Sequence, residues 1–119
     1  MVILFMRVPD LDVRRYAEVM ADLELDVNSP AGLIMHLASE WTGATDIVEV
    51  WQTAASAESY VANRLWPVLQ AHRVKRPHDY RIEAMQNLFA TQIEVLERLG
   101  STSLMPHGFA SAGRSALAS

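Results

Sequence analysis

His36 stands inside an apolar, strand-like run, Leu33–Trp41, and is the residue that type and context best equip for chemistry. An imidazole there can take or give a proton near neutral pH, provided a neighbour fixes its tautomer. A second strand-like run, Thr45–Thr53, follows across Thr42-Gly43-Ala44, which is a hairpin signal. Antiparallel pairing around that loop places either Glu49 or Trp51 opposite His36, and both share its face. A carboxylate in that place orients the imidazole and favours its charged form, so His36 and Glu49 are the expected catalytic pair. A purely structural His–Glu pair on a half-buried face carries the same signature.

Other residues invite weaker readings. Trp51, Tyr60 and Trp66 offer flat apolar surface that would wall a pocket for an aromatic ligand, or simply fill a core. Asn87, with Gln86 beside it, lies near the end of the last strand-like run and has amide N–H groups for a carbonyl or a developing oxyanion. Arg7 is a charge in the middle of VILFMRV. It needs a partner, for which Glu49 and Glu83 are the expected choices, or it anchors an acidic or phenolate ligand. His72 and His78 flank a loop containing Pro77, and the sequence has no HxxxH or HxH element. GxGxxG, GxxxxGK and GxSxG are absent too, so no metal and no cofactor is expected.

Composition narrows the class. The chain has 119 residues, a net charge of -4, 50% hydrophobic residues and no cysteine. That length suits one domain with a real core. The lack of cysteine excludes a disulfide scaffold, a thiol nucleophile and every cysteine-ligated metal. Arg64, Arg73, Lys75, Arg76 and Arg81 come nearest to a basic patch, but Asp79 and Glu83 interrupt it without interleaved aromatics, so no nucleic-acid partner is expected. No basic segment precedes the apolar start, and no run approaches the roughly 18 to 20 apolar residues of a membrane span. A soluble, cytoplasmic protein without a membrane partner is the expectation.

The elements that must position these residues can be read in turn. Val2–Val8 reads as a strand that is apolar at both parities. Val13, Tyr16, Ala17, Met20 and Leu23 form one helical stripe, capped by Asp10 or Asp12 and ending near Leu25. After the two hairpin strands, a helix is predicted from about Ala55 to Arg73, with Thr53 or Ser56 as its cap and Tyr60, Val61, Leu65, Val68 and Leu69 as its apolar stripe. Pro67 inside it predicts a kink, or two short helices meeting at Leu65-Trp66. Tyr80–Ala90 reads as the last strand. The order strand, helix, strand, strand, helix, strand is the α+β, ferredoxin-like βαββαβ pattern, an antiparallel sheet with both helices on one face. Its pocket is expected between the helices and the inner sheet face. Residues 1–90 would form this domain, 91–100 a short C-terminal helix, and 101–119 a flexible or partner-docking tail. The sheet's other face would carry either His36, Ile34, Glu49 and Trp51 or their neighbours, and in both cases it is apolar enough to predict a homodimer stacked sheet on sheet.

The run Gly32–Tyr60, GLIMHLASEWTGATDIVEVWQTAASAESY, resembles the dimeric α+β barrel superfamily, and within it the small proteins related to antibiotic biosynthesis monooxygenases. His36 on the second strand, Asp46 opening the third and Val50-Trp51-Gln52-Thr53 leading into a helix carry the likeness, which extends through Arg64-Leu65-Trp66-Pro67-Val68-Leu69 to about Asn87-Leu88. Gln52 stands where the family commonly has an acidic residue, and Ile47 where its quinone-forming members carry an asparagine. The resemblance implies a homodimeric, cofactor-independent monooxygenase of secondary metabolism acting on an aromatic or polyketide-type phenol. The alternatives are a non-catalytic ligand-binding barrel, and an isomerase or cyclase using the same pocket and base.

Overall fold

The computed structural model describes residues 1–99. Four strands, β1 (Val2–Val8), β2 (Leu33–Trp41), β3 (Ala44–Trp51) and β4 (Asp79–Ala84), form one antiparallel sheet in the order β2-β3-β1-β4. The helix α1 (Val13–Leu23) joins β1 to β2. The second crossover comprises α2 (Ala54–Tyr60), a π-helical turn (Val61–Leu65) and α3 (Trp66–Ala71), and α4 (Ile93–Leu99) follows the sheet. This is the α+β, ferredoxin-like architecture that the order of patterns predicts. Among the described residues no helix is long and apolar enough to cross a membrane. The expectation for 101–119 lies outside the described residues.

The core forms where the inner sheet face meets the helices. Leu4, Met6 and Val8 of β1, with Ile47, Glu49 and Trp51 of β3, point into it and meet Ala17, Val19 and Leu23 from α1 and Ala57, Tyr60, Leu65 and Leu69 from the second crossover. The opposite parity, including Ile3, Phe5, Leu37, Val48 and Trp41, faces away from the helices, and Leu37 and Trp41 are 55% and 54% exposed. The sheet thus places His36, Glu49 and Trp51 on the helix side and their neighbours on the open side.

Local signals set the boundaries. Asp12 caps α1, its carboxylate accepting the Arg15 N–H at 2.8 Å, and Thr53 caps α2 through the Ser56 N–H at 3.1 Å. Asp12 and Thr53 therefore take the two caps for which Asp10 and Ser56 were rivals. The second crossover divides at Leu65 and Trp66. There the Trp66 N–H bonds to the Val61 carbonyl five residues back, and this wider turn makes room for the Pro67 ring. Arg64, at the end of the π-turn, donates to the carbonyls of Leu23 and Asn28 at 2.6 and 2.9 Å and so caps the C-terminus of α1.

Thr42 and Gly43 both have positive φ, 49° and 80°, so Trp41 pairs directly with Ala44 across a two-residue loop. Glycine accepts this conformation freely, whereas β-branched Thr42 does not. Thr42→Asn is expected to stabilise the protein by about 0.5–1 kcal/mol, since asparagine tolerates the left-handed region. A thermal midpoint unchanged or lowered by this substitution would contradict the assigned strain. The same loop sets the register in which His36 faces Glu49.

Candidate functional site

β2 and β3 deliver His36 and Glu49 side by side, and the contact is direct. His36 Nδ1 lies 2.7 Å from Glu49 Oε2. Glu49 is 1% exposed, and its other oxygen accepts the Trp51 indole N–H at 3.0 Å. A buried carboxylate needs such donors, and here one face of β3 supplies the carboxylate and one of its partners two residues apart. Tyr16 completes the set from above, reaching down from the apolar stripe of α1 until its hydroxyl is 2.7 Å from His36 Nε2. The two rings lie nearly parallel, 15° between planes, with centroids 6.1 Å apart.

The arrangement is a hydroxyl–imidazole–carboxylate chain. Glu49 can only accept, so the Nδ1 proton of His36 points at it, and the neutral imidazole presents Nε2 as the acceptor for the Tyr16 O–H. A proton passed from Tyr16 to Nε2 leaves an imidazolium stabilised by the carboxylate behind it, the logic by which a carboxylate orients and supports a catalytic histidine. Burial pushes the Tyr16 phenol well above its ordinary range and the charge of Glu49 adds to the effect, so Tyr16 rests as a neutral donor.

Tyr60 and Tyr80 behave alike, raised first by burial and then by carboxylates, Glu49 for Tyr60 and Glu58 with Glu49 for Tyr80. A phenol raised in the folded state contributes stability that is complete below its unfolded value near pH 10 and is lost as pH rises through the folded value. Tyrosinate absorbance is therefore expected late and steeply, together with the loss of far-ultraviolet ellipticity. Ionisation near pH 10 with ellipticity intact would show the phenols to be accessible.

The remaining candidates separate. Trp51 and Tyr60 join the site from behind, ring centroids 5.1 Å apart, but both are buried in the core. The space between the helices and the inner sheet face, where a pocket was expected, is filled by these rings and by Leu4, Met6, Leu65 and Leu69. Trp66 packs edge-on against Tyr80 at 5.6 Å, toward the β4 side of the sheet. Asn87 lies beyond the end of β4, exposed, beside Met1 and Met85. Arg7 lies on the open face, where it faces Asp46 in the β1–β3 register and grips it with two hydrogen bonds of 2.6 and 2.9 Å. Its partner is therefore Asp46, not Glu49 or Glu83: Glu49 is on the other face, and Glu83 is held by Arg81. The Trp41 ring packs under the Arg7 guanidinium at 3.9 Å. Among the described residues no group of side chains is arranged to hold a metal ion.

No protein-family model and no curated protein sequence matches the chain. Solved structures do. A candidate antibiotic biosynthesis monooxygenase from Chloroflexus aurantiacus superposes with a TM-score of 0.55 at 15% identity, covering 75% of this chain and 96% of its own. The fold is the ferredoxin-like one of the antibiotic biosynthesis monooxygenases. MupZ from Pseudomonas fluorescens superposes with a TM-score of 0.56 at 10% identity, covering 77% of this chain and 90% of its own. A Nitrosomonas europaea protein of unknown function does so with a TM-score of 0.58 at 12% identity, covering 76% and 93%. At these identities the likeness carries the architecture, and the chemistry must be argued from the side chains.

Tyr16 is the candidate site residue that sequence reasoning passed over. It was read as part of the core-facing stripe of α1, which it is. The available signal was chemical: a tyrosine on a core-facing stripe must find a partner for its hydroxyl, and His36 was the unmatched acceptor on the facing sheet.

Proposed function

We propose that this chain is a small, cofactor-independent monooxygenase-like enzyme acting on an aromatic or polyketide-type phenol. The observation that carries the reading is the Tyr16–His36–Glu49 chain, in which a buried, fully partnered carboxylate aims an imidazole at a hydroxyl. The fold shared with a candidate antibiotic biosynthesis monooxygenase supports it. In this mechanism a substrate methylene activated by a neighbouring carbonyl or phenol gives its proton to His36 through Tyr16. The resulting anion transfers one electron to dioxygen, and the substrate radical and superoxide join in a carbon–oxygen bond. Protonation gives a hydroperoxide, which loses water to leave a carbonyl, so that a methylene and one dioxygen become a carbonyl and one water. Glu49 balances the imidazolium throughout.

The enzyme would act as a homodimer, because the open sheet face carries Ile3, Phe5, Leu37, Val48 and Trp41, of which Leu37 and Trp41 are more than half exposed among the described residues. Sedimentation as a monomer at micromolar concentration would remove that part of the proposal. For the activity, oxygen uptake with a panel of anthrone-like phenols is the test. His36→Ala is expected to lower the rate at least a hundredfold with the ellipticity spectrum intact. No uptake by the unmodified protein with any of them would favour ligand binding without turnover, and product formed without oxygen would favour an isomerase or cyclase.

A further inference from the structure

A second site lies outside the proton relay. α3 ends at Ala71, and the chain turns back toward β4 through Arg73, Val74, Lys75 and Arg76, which with Trp66 and Gln70 line a cleft of about 390 Å³. The segment is fixed at several points. Arg73 holds a positive φ of 59°, its N–H bonded to the Gln70 carbonyl at 3.0 Å, and the Val74 N–H bonds to the Leu69 carbonyl at 2.8 Å. Val74 and Pro77 are buried on either side of Lys75 and Arg76. A non-glycine residue kept in the left-handed region must be held there by its surroundings, and here three cationic residues line one cleft.

No ion pair joins Arg73, Lys75 or Arg76 to a carboxylate among the described residues. The nearby Asp79 is paired with Arg81 instead. The chain as a whole carries a charge of -4, so this is a local reversal of sign. The Arg76 guanidinium lies over the Trp66 ring, 5.4 Å from its centroid, and Tyr80 steadies that ring from the side. A guanidinium stacked on an aromatic is pre-organised, with its N–H fork free to meet a planar or tetrahedral anion. Trp66 and Val74 add apolar surface beside the charges.

We infer that this cleft binds a ring-bearing phosphate ester. Three cations exceed what one carboxylate can satisfy. A phosphate monoester brings nearly two negative charges at pH 7 and three acceptor oxygens, and its ring would lie along Trp66 and Val74. The site is on the β4 side of the sheet, whereas His36 lies on β2 at the opposite edge, so this binding is independent of the proton relay.

The test is a titration of the full chain with phenyl phosphate, followed by calorimetry and by tryptophan fluorescence, with benzoate and inorganic phosphate in parallel. Saturable binding of phenyl phosphate is expected, tighter than either comparison ligand and weakening as salt is raised. Arg73→Gln and Lys75→Gln, both at exposed positions, should each weaken it by about tenfold without altering the ellipticity spectrum. Trp66→Phe should abolish the fluorescence response while calorimetry still reports binding. The inference is overturned if phenyl phosphate shows no saturation, if benzoate binds as tightly, or if the two glutamine variants bind it unchanged.

Discussion

Glu49→Gln is expected to leave a folded protein that turns over roughly a thousandfold more slowly, because the substitution reverses the direction of the relay. The amide oxygen can keep the Trp51 indole hydrogen bond, which places the NH2 group against His36 Nδ1. That nitrogen must then accept, so the ring proton moves to Nε2 and points at the Tyr16 oxygen. Tyr16 loses its acceptor, and the substrate proton has nowhere to go. The magnitude follows the comparable loss when the carboxylate of a serine-protease triad becomes an amide. The stability cost should be about 1–2 kcal/mol, since the Trp51 indole and the His36 ring keep partners and only the Tyr16 hydroxyl loses its acceptor. Nitrogen-15 chemical shifts of the imidazole would report the tautomer directly, independently of turnover. An unchanged tautomer, or unchanged oxygen uptake, would remove Glu49 from the mechanism.

Trp51→Ala should cost about 3–5 kcal/mol, a large fraction of the 5–15 kcal/mol that holds a domain of this size. Trp51 is 0% exposed, packs on Tyr60 and supplies one of the two donors that satisfy Glu49. A fall of roughly 15–30 °C in thermal midpoint is the expected result. Trp51→Phe separates the two contributions: it keeps most of the packing but leaves a carboxylate oxygen without its donor, at about 1–3 kcal/mol. Equal midpoints for Trp51→Phe and the unmodified protein would mean that the indole hydrogen bond contributes nothing to holding Glu49.

Much of this architecture is legible from residue patterns because its signals are local. That His36 faces Glu49 or Trp51 follows from a short loop and a period of two, and the register selects Glu49; the division at Leu65-Trp66 follows from the geometry of proline. The misreadings have long-range causes. Tyr80–Ala90 is apolar enough to read as one strand, yet β4 ends at Ala84. Its partner β1 completes its pairing at Met1, whose carbonyl takes the Met85 N–H at 3.0 Å, and Asn87 is left outside the sheet. The partner of Arg7 was sought among Glu49 and Glu83, whereas strand register selects Asp46. The expected interior pocket failed on volume: Trp51 and Tyr60 are large enough to line a cavity, and equally large enough to fill one. Tyr16 needed the crossing of α1 over β2, which no local pattern encodes.

The π-turn at Val61–Leu65 ties two features of the chain together, the place of Pro67 and the hold of Arg64 on α1. A π-turn holds one residue more than an α-helix needs to cover the same span, so removing one residue there would leave Ala57 and Tyr60 on one side and Leu69 on the other with their inward faces unchanged. It would also bring the Pro67 ring back against the preceding turn, and Arg64 would lose its hold on the end of α1. A single-residue deletion in this turn is thus compatible with the fold only when Pro67 changes as well. Relatives of this chain should have gained or lost the surplus residue and the proline as a pair.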